Sequence, residues 1–314
     1  MKKLLSFIII IVLVALIIFK WNDISQFIVQ KIIFKDQYEI AESNEHYKSD
    51  NFLIFQNVSD LTIKSKADFN NFLYTVLNNG WDSFSFFCDF EYDDCINDFK
   101  SYIKDSIYVE AINNYVNPFN SFESITVSVN NFNKITLDIE KLYSEKEIDA
   151  VNQKINNFIA THIKENMSDR EKVKAFHDWV INNSKYDETF NINTDRELYV
   201  YHPYNAYGPL IEGYAVCSGY SDAMAIFLNK MKIKNYKISN LTDNKKDEGH
   251  IWNYALIDNE WLHIDLTWDD PLMSDGSNIL IHDFFLINNA KLKKIGTDQH
   301  IFSDEYYLEA KTAN

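Results

Sequence analysis

Three short segments of this chain carry a cysteine, a histidine and an aspartate, in that order. Cys217 lies in GYAVCSGYSD, His250 in EGHIWNYAL and Asp265 in EWLHIDLTWDDP. A thiolate, an imidazole and a carboxylate are the groups of a nucleophile, a base and a residue that orients the base. The chain has only 7 glycines, and four of them stand near the cysteine or the histidine. The three segments are therefore the candidate active site.

The residues after Cys217 predict a helix that begins at the cysteine. Apolar side chains recur at helical spacing, as at Tyr220, Ala223 and Phe227. The unpaired amides and the positive end of a helix dipole stabilise a thiolate, and the cysteine's own N–H points to where an oxyanion can form. The second oxyanion donor would come from the irregular segment before the cysteine. A cysteine beside a helix is, however, also a common small buried residue.

The segments around His250 and Asp265 predict two strands joined at Asp258-Asn259. With a two-residue loop, Trp252 faces Asp265 across the hairpin. His250 then lies diagonal to Asp265 on the same face of the sheet, within side-chain reach. A slip of one residue would put the two on opposite faces. The predicted register therefore allows Asp265 to orient the imidazole while its other nitrogen faces the cysteine.

Other polar residues near these segments have alternative interpretations. His263 shares the predicted face, so His263 with Asp269 or Asp270 is an alternative metal site. Zinc uses three or four ligands with a second shell, and carboxylates just before Pro271 are equally typical of a solvated turn. We therefore predict no metal and no cofactor. His177, on an earlier predicted helix, is interpreted as a packed or surface residue, and the nearby tryptophans as core residues.

The remaining sequence predicts the elements that position the candidate site. Residues 51–142 alternate helical and strand patterns, including a helix over 94–114, and predict a small α+β domain. Residues 143–314 form the second predicted domain, with two helices that begin at the capping-box spacings Ser144/Glu147 and Ser168/Glu171. Residues 22–50 are interpreted as a linker. An irregular aromatic loop over 199–214 leads into the cysteine.

In order, spacing and neighbours, the three segments resemble the transglutaminase-like superfamily of papain-related thiol enzymes, of the bacterial membrane-anchored or secreted type. The resemblance covers roughly residues 168–290. It implies a catalytic triad of Cys217, His250 and Asp265, and an α+β fold in which a cysteine-bearing helix packs on an antiparallel sheet. Calcium-dependent animal transglutaminases are similar only around the triad, so neither calcium sites nor cross-linking activity is implied.

The N-terminus predicts a membrane anchor. Met1-Lys2-Lys3 precedes an apolar run from Leu4 to Phe19 whose polar member is Ser6. We interpret residues 1–21 as a transmembrane signal anchor that leaves the C-terminal part outside the cell membrane. A cleaved signal peptide, which would give a secreted protein, and a buried core helix are the alternatives.

Charge and cysteine content narrow the function further. The formal net charge is -16, which argues against a nucleic-acid partner because such binding depends on clustered Lys and Arg. Of the 3 cysteines, Cys88 and Cys95 are either a disulfide pair or two reduced residues, which would leave Cys217 as a free thiol.

These observations predict a thiol-dependent acyl-transfer enzyme that attacks peptide or carboxamide bonds. Hydrolysis is favoured over amine transfer because nothing in the sequence specifies an amine site. The expected partner is a protein or peptide substrate, at the cell surface if the anchor is present. The alternative is a non-catalytic transglutaminase-like module that binds a protein or cell-wall component through the aromatic loop.

Overall fold

A computed structural model describes residues 2–21, 24, 28, 62–89, 91–131, 133–189, 202–240, 249–272, 279–303, 306, 307 and 310 of the 314-residue chain. The predicted linker over 22–50 lies largely outside the described residues. Of the predicted aromatic loop over 199–214, residues 202–214 are described and contain a π-helical turn at Gly208–Glu212.

The N-terminal helix α1 spans Lys2–Phe19, and its described side chains are exposed. Among the described residues, no helix combines the length and the apolar character needed to cross a membrane. The transmembrane helix predicted over residues 1–21 is not found among these residues. At a rise of about 1.5 Å per residue, the apolar run after the two lysines reaches only ~24 Å, against a hydrocarbon core of ~30 Å.

The first part of the fold is a three-stranded antiparallel sheet with strand order β1-β3-β2, covered by three helices. Its elements are α2 Asp68–Asn78, β1 Ser83–Phe87, α3 Cys95–Lys104, α4 Ser106–Asn113, a 3₁₀ turn Pro118–Asn120, β2 Phe122–Val129 and β3 Lys134–Lys141. The single helix predicted over 94–114 is two helices, because the backbone at Asp105 is extended (ψ 93°). Cys88 and Cys95 form a disulfide with Cα atoms 6.0 Å apart.

The second part is a four-stranded antiparallel sheet with strand order β6-β7-β8-β9 and the helices around it. Its elements are α5 Glu145–His162, α6 Asp169–Asn183, β4 Lys185–Tyr186, a π-helical turn Gly208–Glu212, β5 Tyr214–Ala215, α7 Cys217–Lys230, β6 Asn235–Ser239, β7 Ile251–Ile257, β8 Glu260–Ile264, β9 Phe285–Ile287, α8 Asn289–Ile295 and a 3₁₀ turn Asp298–His300. Both predicted capping boxes are present, at the starts of α5 and α6. The prediction of an α+β fold is confirmed.

The β7–β8 hairpin has the predicted register. Ile257 faces Glu260 and Tyr254 faces His263. Asp258 and Asn259 form the two-residue turn in the left-handed region, with φ of 54° and 62°. Asn and Asp tolerate this region better than most residues, so the turn sequence fixes which side chains of β7 and β8 share a face.

Two hydrophobic clusters hold the elements together. The first joins residues of β1 and β3, such as Phe84 and Leu137, to Tyr236 and Trp252 on the second sheet. The second packs α7 against α5, α6 and the opposite face of the second sheet, with Phe227 at its centre. Helix α7 is therefore buried along most of its length, and its N-terminus reaches the end of the sheet where β7 begins.

Candidate active site

Cys217 is the first residue of α7 and is half-buried. The preceding residue, Val216, makes no side-chain cap, so the first amides of the helix are not covered by a capping side chain. Gly219, two residues after Cys217, packs against the backbone of the segment 203–205. A Cβ at Gly219 would lie 2.2 Å from the carbonyl oxygen of Pro203. Only glycine therefore lets the start of this helix pack so closely against that segment.

His250 precedes β7 and is fixed at both its backbone and its ring. Its N–H donates to the Asn240 side chain at 2.6 Å, and its carbonyl accepts from the Asn240 N–H at 3.1 Å. Its Nε2 lies 2.6 Å from Oδ2 of Asp265, and the ring stacks on Trp252. The Cys217 thiol lies close enough to contribute to the raised pKa of His250. Since Nε2 is engaged by Asp265, Nδ1 is the nitrogen left to face the thiol.

The structure thus brings together the three residues predicted as the site. The diagonal placement of His250 and Asp265 follows from the hairpin register, and Cys217 approaches from the helix end. The catalytic roles of the three residues remain predictions.

Asp265 is buried, and each of its carboxylate oxygens accepts hydrogen bonds. Oδ1 accepts from the N–H of Trp268 at 3.2 Å. Oδ2 accepts from His250 and, at 3.1 Å, from Nε2 of His300. His300 was not predicted as a site residue. It follows Asp265 by 35 residues and lies in a short 3₁₀ turn, so no local spacing in the sequence relates the two.

The electrostatics of the site favour a charged imidazole beside an ionised carboxylate. Burial opposes the charge on His250, but the Asp265 carboxylate and the contacts with Asp265 and Cys217 outweigh burial and raise the pKa of His250 to about 10. Burial likewise opposes the charge on Asp265, but His250 and His300 hold the pKa of this carboxyl well below its usual range. At neutral pH the pair is therefore an imidazolium and a carboxylate.

The loop after Asp265 is tied to both neighbouring helices. Asp269 lies 3.2 Å from Nε2 of His177 on α6 and accepts the N–H of Phe284 at 2.9 Å. Asp270 accepts from the hydroxyl of Tyr220 on α7 at 2.5 Å. His177 is completely buried, so its interpretation as a packed residue is confirmed. These contacts hold the segment that carries Asp265 in a fixed place relative to the cysteine helix.

His263 does not form the alternative metal site. Its Nδ1 accepts from Trp252 at 3.0 Å, and its Nε2 lies 2.7 Å from the Asn289 side-chain oxygen. Burial lowers the pKa of His263 to about 4. Both ring nitrogens are thus engaged by neutral partners, while Asp269 and Asp270 are bonded to His177 and Tyr220.

Two clusters within the described residues bring metal-binding atoms together: His177, Asp178 and His282, and His250, Asp265 and His300. In the first, the Lys174 ammonium already supplies a cation, 2.5 Å from Asp178 Oδ2 and 3.1 Å from His282 Nε2. The second is the candidate active site, where the hydrogen bonds described above account for the arrangement.

A cleft of about 590 Å³ lies between the two parts of the fold. Its wall includes Ser218, which follows Cys217, and Ile251, which follows His250. Deeper in the cleft, the Lys237 ammonium donates to Asp222 at 2.6 Å. Glu110 of α4 faces the same space from the first part of the fold. The cleft therefore runs beside two of the three candidate residues and offers both apolar and charged groups.

Comparison with known proteins finds a family match within this region. Residues 157–266 match the model of the transglutaminase-like superfamily, and this range contains Cys217, His250 and Asp265. The chain therefore carries a transglutaminase-like domain over these residues.

Solved structures give weaker similarities. A TGase of known crystal structure has 16% sequence identity to this chain and a TM-score of 0.30. The match covers 50% of this chain and 48% of that one. A putative cysteine protease from Cytophaga hutchinsonii is 13% identical with a TM-score of 0.29, over 50% of this chain and 65% of that one. This chain thus spans about half the length of the TGase and less than two thirds of the protease. No curated protein matches the chain.

Proposed function

We propose that the protein is a thiol-dependent acyl-transfer enzyme in which Cys217 is the nucleophile, His250 the base and acid, and Asp265 the residue that orients His250. The observation that carries this proposal is the position of His250. Its Nε2 lies 2.6 Å from Oδ2 of Asp265, and Asp265 together with Cys217 outweighs burial and raises the pKa of His250 to about 10. An imidazolium beside a thiol stabilises the thiolate, which is the nucleophilic form.

The proposed reaction has two halves. The Cys217 thiolate attacks the carbonyl carbon of a peptide or carboxamide bond, and the developing oxyanion accepts from the N–H of Cys217 at the start of α7. The His250 imidazolium gives its proton to the nitrogen, which leaves as an amine or ammonia, and a thioester remains. Neutral His250 then takes a proton from water, the hydroxide attacks the thioester, and the acid and the thiolate are released.

The cleft beside the triad supports a peptide as the substrate. It passes Ser218 and Ile251, the chain neighbours of Cys217 and His250. Residues of the first part of the fold line its other side. The mixed apolar and charged lining of the cleft suits an extended peptide. Hydrolysis is favoured over amine transfer because nothing in the sequence specifies an amine-binding site.

The disulfide supports activity outside the cytoplasm. Cys88 and Cys95 are bonded, and such bonds persist mainly in oxidising compartments. Surface or extracellular proteins and peptides are therefore the proposed substrate class.

The test is a peptide-library assay with wild-type protein and Cys217→Ala. Hydrolysis predicts new peptide carboxyl ends, deamidation predicts ammonia without fragments, and amine transfer predicts products that incorporate an added primary amine. All product should be lost in Cys217→Ala, since the other two cysteines, Cys88 and Cys95, are bonded to each other and supply no free thiol. Cys217→Ser is the matched control, because a hydroxyl keeps the size of the side chain but is a far weaker nucleophile.

Iodoacetamide labelling separates the enzyme from the binding module without a substrate. Wild-type Cys217 should label readily at about pH 6, whereas an ordinary thiol, with a pKa of about 8.5, labels little there. Equally slow labelling of wild type and His250→Ala at pH 6 would favour the non-catalytic module.

A further inference from the structure

The oxygen of Asp265 that orients His250 is shared with a second histidine. Oδ2 of Asp265 lies 2.6 Å from Nε2 of His250 and 3.1 Å from Nε2 of His300. The two imidazole rings lie edge to face with centroids 5.4 Å apart. His300 and Asp265 are both buried, at 5% and 2% exposure, so water does not compete freely for this oxygen.

The backbone fixes which nitrogen of His300 carries the proton. Nδ1 of His300 accepts the N–H of Thr297 at 3.2 Å, which closes the capping box of the 3₁₀ turn Asp298–His300. A nitrogen that accepts from an N–H has no proton of its own, so Nε2 is the protonated nitrogen of neutral His300. His300 therefore donates to Asp265 through Nε2.

The position of the His300 ring is also fixed by packing. It stacks on Phe284 at 4.8 Å with an interplanar angle of 10°, and it lies edge to face against Trp252 and Trp268. Trp252 is also the ring on which His250 stacks. The donor of His300 is thus held in place from three sides.

We propose that His300 is a positioning residue of the active site: its Nε2–H holds Oδ2 of Asp265 in the direction that aligns His250 with Cys217. This inference rests on the proposed function. The carboxylate has three donors, Trp268 N–H on Oδ1 and the two histidines on Oδ2, and rotation of the carboxylate breaks all three bonds. Without His300, Oδ2 keeps His250 as its side-chain partner, and the orientation of the pair is less well defined.

The other titratable groups around Asp265 do not substitute for His300. His263 lies on the same face of β8, but both its nitrogens are engaged by Trp252 and Asn289. Asp269 carries the same charge as Asp265 and is bonded to His177. His300 is therefore the second side chain that supports Asp265 among the described residues.

The test uses two substitutions that separate the two nitrogens of His300. In Gln, the amide nitrogen can occupy the place of Nε2 and donate to Asp265. In Asn, the shorter side chain places its amide near the position of Nδ1, so it keeps the contact with Thr297 and loses the one with Asp265. The readout is the rate of iodoacetamide labelling of Cys217 at pH 6 and at pH 9, with folding checked by thermal melting.

We expect His300→Asn to label about tenfold more slowly than wild type at pH 6, the effect of one charge-assisted hydrogen bond, and near the wild-type rate at pH 9, where thiols ionise unaided. His300→Gln should label within about threefold of wild type at both pH values, since a neutral donor is restored. A substitution that only loosened the packing would change both rates together.

Three other outcomes are decisive. Wild-type labelling of His300→Asn at pH 6 would show that His250 and Trp268 hold Asp265 without help and would overturn the inference. Equal slowing of the Gln and Asn variants would assign the effect to the loss of the imidazole ring rather than to the loss of the Nε2–H donor. That outcome would also overturn the inference. If wild type itself labels no faster at pH 6 than His250→Ala, the proposed function fails. This outcome is distinct from the two that overturn only the role of His300.

Discussion

At the scale of single residues, the charge state of His250 links the structure to a measurable pH profile. Its pKa of about 10 exceeds the ordinary value of about 6.5 because the Asp265 carboxylate outweighs burial. In the proposed mechanism the imidazolium protonates the leaving nitrogen. We therefore expect kcat/KM to fall as the pH rises through about 10.

Asp265→Asn is the control for this profile. Asparagine keeps the shape of the side chain but has no charge to stabilise the imidazolium, so the upper limit of activity should move down toward about 6.5. An upper limit near 6.5 in the wild-type enzyme would contradict the assignment of His250.

The same shift has a consequence for stability. A raised pKa means that the folded protein binds more protons than the unfolded chain between about 6.5 and 10. The stabilisation that comes from the raised pKa of His250 is therefore fully present below pH about 6.5, while Asp265 stays ionised, and is lost as the pH rises through about 10.

The residue scale also shows what the sequence can and cannot reveal. The placement of Asp265 near His250 was predictable because a two-residue turn at Asp258-Asn259 sets the register of every pair in the hairpin. The contact of His300 with Asp265 was not predictable. It depends on how β9, α8 and the final turn fold back over the sheet, and no periodicity in the sequence reports that path.

At the scale of elements, the contact between the start of α7 and the segment 203–205 makes a further prediction. A Cβ at Gly219 would lie 2.2 Å from the carbonyl oxygen of Pro203 and 3.0 Å from that of Asn205. Both are backbone atoms, so the helix or the segment must shift. In an ordinary helix Gly→Ala stabilises by about 1 kcal/mol, but here Gly219→Ala should destabilise by about 1–3 kcal/mol.

Urea unfolding of Gly219→Ala measures this effect, and Gly249→Ala is its matched control. Among the described residues, nothing lies within 4 Å of a Cβ built at Gly249, so that variant should unfold close to wild type. Equal stability of the two variants would mean that the close approach to Pro203 is not needed.

The helices illustrate the limits of sequence patterns for single elements. The starts of α5 and α6 were predictable because Ser144/Glu147 and Ser168/Glu171 form local hydrogen-bonded boxes. The break at Asp105 was not, since the apolar spacing continues across it and the new direction of α4 depends on its packing against α2 and α3. Local chemistry therefore predicts where a helix starts better than where it bends.

At the scale of the whole molecule, the two parts of the fold are joined by buried contacts. Tyr115 stacks on Tyr236 with ring centroids 4.5 Å apart. The Asn114 side chain donates to Ser239 at 2.8 Å, and the Asn114 carbonyl accepts from the N–H of Lys237 at 2.9 Å. The predicted boundary at 142/143 therefore separates sequence segments that share one core.

A shared core predicts that a change in one part is felt in the other. The Cys88–Cys95 disulfide closes a loop with a sequence separation of 7, and in the chain-entropy description its loss costs about 2 kcal/mol. If the two parts unfold as one cooperative unit, Cys88→Ala/Cys95→Ala should accelerate hydrogen exchange about 30-fold in β1 and in β7 alike. Amide exchange followed by mass spectrometry on peptides from each strand measures this. Faster exchange in β1 with no change in β7 would mean that the two parts unfold independently and that the shared buried contacts do not couple them.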